Sequence, residues 1–200
     1  MAKIGLKNFR YSVLTEASDG TPSYAGATTP AKAVSCSVSI SNNEAELYAD
    51  DGLAESDYSF NKGDVTIGVD KEDQATMAAL LGHSVDSTSG AMTRNATDTA
   101  PFVGFGRVVT LIVGGSYKYK VEFLYKVKFA EPSQEDQTKG ESVAFNTYTI
   151  PGKVHQLGNG DWSITKTFDS ESDALTYLEG LLAAPVPPTP PQTETQNPVG

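Results

Sequence analysis

The sequence predicts a mainly β chain with a minor α component: a β-sandwich or barrel-like body with a long hairpin and one or two short flanking α-helices. Three observations predict it. Short runs rich in Val, Ile, Thr, Tyr and Phe recur between Gly, Asn, Asp and Pro through the first 170 residues, which is the punctuation of strands and turns. From Tyr117 to Phe129 every odd position is apolar, while the even ones are Lys118, Lys120, Glu122, Leu124, Lys126 and Lys128. That period of two is the pattern of an extended strand. Helical spacing, in contrast, is confined to two short stretches, Lys71 to Gly82 and Ala174 to Leu182.

Taken in order, strands are expected over Gly5 to Leu14, Lys32 to Ile40 and Asp64 to Val69. Phe102 to Val113 and Tyr117 to Phe129 read as one long hairpin, because Gly114-Gly115 between them suits a two-residue turn with positive φ. At about 3.3 Å per residue the second of these strands spans roughly 40 Å, longer than a small monomeric sandwich readily covers. Further strands are expected over Glu141 to Ile150 and Asp161 to Phe168. The first helix begins after Asp70 with acids in its first turn, places Ala75, Ala78 and Ala79 with Leu81 near one face, and stops at Gly82. Ser170 with Asp173 resembles a capping box ahead of Ala174, Leu175, Tyr177, Leu178, Leu181 and Leu182. From Ala184 to Gly200 the chain turns proline-rich and cannot bury apolar surface, so residues 1–183 read as one domain and 184–200 as a disordered tail or linker.

Composition excludes several classes. With 200 residues the chain can build a core without disulfides or metals, and Cys36 is its single cysteine, so a reducing compartment is the simplest expectation. The start, MAKIGLKNF, lacks the apolar run of a signal peptide, and no stretch approaches the length of a membrane span. Fifteen basic and 25 acidic side chains give a net charge of -10, the wrong sign for holding a polyanion through phosphate neutralisation. Passive encounter with DNA is compatible with that charge.

The chain offers no catalytic template. It has no GxSxG elbow, no HExxH and no Walker A sequence. His83 and His155, the only histidines, lie 72 positions apart without zinc-like spacing to a second ligand. Gly104-Phe105-Gly106 sits inside a strand pattern, where close backbone approach or a bulge explains it better than a dinucleotide fingerprint. The acidic run Asp50, Asp51, Glu55 and Asp57 lacks the alternation of a calcium loop and reads as a solvated turn. Pro187 to Pro191 reads as a spacer. No catalytic, cofactor-binding or metal residue is therefore expected, and no cofactor.

Several segments in the same order resemble the major tail (tail tube) proteins of long-tailed, non-contractile bacteriophages, the phi13-type major tail protein family. They are GLKNFRYSVLTE at Gly5 to Glu16, NNEAELYADDGLAESD at Asn42 to Asp57, and GVDKEDQATMAALLGH at Gly68 to His83. APFVGFGRV at Ala100 to Val108, YKVEFLYKVKFAEPSQEDQTKGESVAFNT at Tyr119 to Thr147 and TIPGKV at Thr149 to Val154 continue the likeness. The resemblance implies a structural virion protein that forms hexameric rings stacked into a tube through which double-stranded DNA passes. It also implies tape-measure, tail-tip and tail-terminator partners, a place in the virion tail, and assembly in the host bacterial cytoplasm. On this reading Asn42 to Asp57 is an extended loop that serves the joint between rings. The lysines of Tyr117 to Phe129 are expected to pair with acids of a neighbouring strand or subunit, leaving the lumen negative. A monomeric β-sandwich that binds cell-surface carbohydrate is the alternative, with Trp162 and scattered tyrosines as its platforms. A β-rich hydrolase built on a carboxylate pair is a third reading.

Overall fold

The computed structural model describes residues 2–49, 52–134 and 147–183. Ten strands and two helices follow in the order β1 (Ala2–Glu16), β2 (Pro22–Tyr24), β3 (Ala33–Ala49), β4 (Gly52–Val69), α1 (Gln74–Leu81), β5 (Ser84–Val85), β6 (Met92–Thr93), β7 (Val103–Val113), β8 (Ser116–Phe129), β9 (Tyr148–His155), β10 (Ser163–Phe168) and α2 (Glu171–Leu181). All but β5 and β6 belong to one antiparallel sheet in the order β2-β1-β7-β8-β9-β4-β3, with β10 on β8. The mainly β reading with short helices therefore holds.

The β7–β8 hairpin is the spine of this sheet. Val113 pairs with Ser116 across Gly114 and Gly115, whose φ values of 58° and 83° are those of a turn that matches the twist of the flanking strands. Further down the hairpin Val103 pairs with Val127 but Phe105 pairs with Leu124, so β8 carries one residue more than β7 across this interval. Such a bulge turns the following side chains to the opposite face. Val121 and Phe123 consequently lie beneath α2, while Leu124, Val127 and Phe129 lie in a second core on the other face. The uninterrupted odd-position pattern of the sequence thus serves two cores instead of one.

The larger core is closed by the sheet folding over on itself. Phe9 and Tyr11 of β1, Val103 and Phe105 of β7, and the end of β8 meet Val65, Ile67 and Val69 of β4, Ile150 and Val154 of β9, and Met77, Leu80 and Leu81 of α1. Phe105 is central, with Phe9 and Phe129 packed edge-on against it at 5.2 and 5.9 Å between ring centroids. The smaller core lies under α2, where Ala174, Leu178 and Leu182 are fully buried at the four-residue spacing of one helix face. They cover Val108, Val121, Phe123 and Tyr24. Ion pairs hold the helix to β1, Lys7 to Glu171 at 2.8 Å and Arg10 to Glu179 at 3.1 Å.

Gly104 and Gly106 mark the close approach expected of them. A Cβ on Gly104 would stand 2.5 Å from a Tyr24 ring carbon and 2.8 Å from one of Phe123, and a Cβ on Gly106 would run into Leu178. Only a strand without side chains at these two points lets the rings and α2 settle on it.

Several local expectations are corrected. The first helix starts later than its acids: Asp73 is the N-cap, its carboxylate accepting the Thr76 N–H at 3.0 Å, and no acid occupies the first turn. The Thr76 hydroxyl, donating to the same carboxylate at 2.7 Å, and after it that N–H draw the Asp73 carboxyl below its ordinary value. Its buried residues are Thr76, Met77, Ala78, Leu80 and Leu81, with Ala75 exposed, because the helix is enclosed on more than one side. Gly82 ends it as expected, with φ 80° and its N–H donating to Ala78 O at 2.8 Å. The Ser170–Asp173 capping box does not form; the Ser170 hydroxyl pairs with that of Ser172 at 2.6 Å, while Glu171 and Asp173 still place negative charge in the first turn. The strand expected over Glu141 to Ile150 runs instead from Tyr148 to His155, and 141–146 lie outside the described residues, as do 184–200.

Two glycines give opposite expectations for stability. Gly106→Ala overpacks the α2 interface and is expected to destabilise the fold by about 1–3 kcal/mol. Gly180→Ala sits in open space on α2 and is expected to stabilise by up to about 1 kcal/mol. Urea denaturation of both variants checks the pair of signs.

Candidate assembly surface

Beyond its first eight residues β3 does not end, and neither does β4 begin where expected. The stretch from Asn42 to Asp57, read as an extended loop around a turn, continues both strands: Asn42 pairs with Phe60 and the ladder runs out to Ala49 with Gly52. Turn residues Asp50 and Asp51 lie outside the described residues. Pairing of β4 with β9 stops at Gly63, so among the described residues the outer part of this hairpin pairs only with itself. It forms a two-stranded arm, eight residues on its β3 side, or roughly 25 Å at about 3.3 Å per residue.

The root of the arm is built by a second bulge. Ser41 pairs with Lys62 but Asn42 with Phe60, leaving Asn61 as the extra residue, and a bulge bends and twists the strands that leave it. Phe60, at this bend, stacks on Trp162 with centroids 5.1 Å apart and planes 11° from parallel. Trp162 therefore spends one ring face on Phe60 at the root of the arm.

Charge distinguishes the arm from the body. Between Asn42 and Phe60 stand Glu44, Glu46, Asp50, Asp51, Glu55 and Asp57 and no Lys or Arg. The register sets Glu44 opposite Tyr58, Ala45 opposite Asp57, Glu46 opposite Ser56 and Leu47 opposite Glu55.

The body behind the arm presents an open edge. On β3, Cys36, Val38 and Ile40 turn inward while Ser35, Ser37 and Ser39 are exposed, and among the described residues β4 is its one neighbour in the sheet. An edge of this length offers unpaired N–H and C=O groups to another strand. Beneath β3 lies a cleft of about 180 Å³ lined by Val38, Ile40, Arg107, Glu122, Leu124 and Trp162 among others. Arg107 fills it usefully: its guanidinium pairs with Glu122 and donates to Cys36 Sγ at 2.7 Å. Glu122 also meets Lys120 at 2.6 Å; burial raises its carboxyl but the cations around it prevail and leave it below the ordinary value. Burial pushes the Cys36 thiol up, so it stays protonated and inert.

Three of the four lysines of β8 pair with acids of the same chain. Lys118 pairs with Asp169, Lys120 with Glu122, and Lys126 with Glu16, while Lys128 lies 5.3 Å from the Phe102 ring centroid. The bulge separates them, placing the first two and the last two on opposite faces.

The two histidines sit in different surroundings. His155 packs edge-on to Phe102 at 5.4 Å, and burial together with Lys126 and Lys128 lowers its pKa. His83 is bracketed by Asp98 and Glu131, one on each ring nitrogen, which leaves neither nitrogen for a metal. Among the described residues no group of His, Cys, Asp and Glu could hold a metal ion, and no helix is long and apolar enough to cross a membrane. No protein-family model and no curated protein matches the chain.

Removing the stack at the root should loosen the arm. We expect Phe60→Ala to shift the emission of Trp162, the only tryptophan, toward that of a hydrated indole, and to cost about 0.5–1.5 kcal/mol beyond the lost area. Unchanged emission would mean that the stack is dispensable.

Proposed function

We propose that this chain is a structural subunit that assembles with copies of itself and carries out no catalysis. More specifically, its role is that of a major tail protein, a ring-forming unit of the tube of a long-tailed bacteriophage. The observation that carries this reading is the acidic arm with the open β3 edge behind it. A two-stranded ribbon is marginal on its own in water, and a 17-residue edge strand is an aggregation hazard unless a neighbour covers it. Six or so copies closing head to tail would cover each edge with the next subunit, and a second set of contacts made by the arms would stack the rings.

The segments that resemble phi13-type major tail proteins support the same role, and two of them, Asn42 to Asp57 and Tyr119 to Thr147, include the arm and most of the spine strand. Electrostatics is compatible with it as well. With three of the four β8 lysines paired to acids of the chain, the surplus of negative charge remains available to a lumen, and an anionic wall lets DNA pass without retention. Tape-measure, tail-tip and tail-terminator proteins are the partners this role requires, and the virion tail is its place.

Electron microscopy with light scattering across a concentration series tests the proposal. Rings or stacked tubes with a central hole are expected for the full chain, with tail-tip components added where a nucleus is needed. A variant in which residues 43–59 are replaced by a two-residue Asn-Gly turn is expected to remain folded by circular dichroism and to stay monomeric. A full chain that remains monomeric even beside tail-tip components would overturn the reading.

A further inference from the structure

We propose that His83 is a proton-operated latch that ties the exit of β8 to the end of α1 when its ring is charged and releases it when the ring is neutral. The imidazole follows directly on Gly82, the left-handed residue that ends α1, and its side chain is 5 % exposed. Nδ1 lies 2.7 Å from Asp98 Oδ2, and Nε2 is in hydrogen-bond contact with Glu131 Oε1. Carboxylates only accept, so both ring nitrogens donate, which requires the imidazolium. Three separate stretches of chain converge on one proton pair: the end of α1, the turn at Asn95 to Asp98 that precedes β7, and the segment leaving β8 at Glu131.

The two carboxylates are not equivalent. Asp98 is also held by the Asn95 N–H at 2.8 Å and is largely covered, whereas Glu131 is 52 % exposed, with Arg94 at 3.9 Å as its other charged neighbour. Arg94 in turn reaches Glu72 at 3.7 Å, and these are the charged groups around the site among the described residues. Loss of one proton therefore leaves the tautomer with Nδ1–H on Asp98, and turns the Nε2 lone pair toward the Glu131 carboxylate. Two acceptors then face each other, and Glu131, the partner with access to water, is the one that leaves.

The direction in pH follows from the charges. The bond to Asp98 and, after it, the contact with Glu131 outweigh burial and raise His83 above its ordinary 6.5. A group raised in the folded state contributes its full stabilisation below the unfolded value and loses it as pH climbs through the folded one. The latch is thus closed below pH 6.5 and opens on the alkaline side of its raised midpoint. His155, the other histidine, is lowered and titrates on the acid side of 6.5, so the two signals separate.

The test is a ring-nitrogen NMR titration of the unassembled subunit, combined with amide exchange at pH values one unit either side of the His83 midpoint, corrected for intrinsic rates. His83 is expected to titrate above 6.5 and to keep its proton on Nδ1 in the neutral form. Protection at Ala130, whose N–H donates to Pro151 O at 2.8 Å, is expected to fall several-fold across the titration in the wild type. Glu131→Gln is expected to abolish that change, because an amide accepts from Nε2–H or donates to bare Nε2 equally well. A His83 midpoint at or below 6.5, or a Glu131→Gln variant as pH-sensitive as the wild type, would sink the proposal.

Discussion

One additional residue in β8, set against the pairs Val103–Val127 and Phe105–Leu124, is the constraint on which the rest of the structure depends. Without it the odd positions of the strand would all face one way, and one of the two cores would lose its floor. Because of it, Val121 and Phe123 support α2 while Val127 and Phe129 close the larger core. The same reversal divides the lysines, so that Lys118 and Lys120 find Asp169 and Glu122 on one face while Lys126 finds Glu16 on the other. A bulge in a central strand usually costs ladder bonds; here it is held in place by apolar burial on both faces.

The parts of the fold legible in the sequence are those fixed by local chemistry. Gly114-Gly115 announces its turn, Gly82 its helix end, and the Gly104 and Gly106 pair a close approach, because each meets a backbone requirement few other residues meet. What escaped is decided by distant partners. The β8 pattern cannot reveal its bulge, since the register belongs to the pairing with β7. The arm escaped because its acids and Asp50-Asp51-Gly52 are turn formers and carry no strong alternation, so the strand is specified by pairing alone. His83, Asp98 and Glu131 lie 15 and 48 positions apart, and no spacing rule connects them. The nearest available signal was the closeness of His83 to a helix end, where a cation is favoured.

The arm and the body have different designs. The body pairs many of its charges internally, with Arg107, Glu122 and Cys36 forming a cluster beneath β3. The arm concentrates six acids with no base between Asn42 and Phe60 and is anchored by a single aromatic stack at its root.

The position of α2 in the chain has a consequence for biosynthesis. Leu178 and Leu182 are the lid over Val108, Val121 and Phe123, and the Leu182 carbonyl accepts the Gly26 N–H at 3.0 Å. The turn after α2 thus completes a core begun by the earliest strands, and most of β1 waits for β7, roughly a hundred residues later, to pair. A nascent chain that stops before residue 182 leaves that apolar floor bare, and such exposed surface is what chaperones and proteases engage. Only a chain translated through α2 hides it, so that incomplete copies are recognisable by their surface.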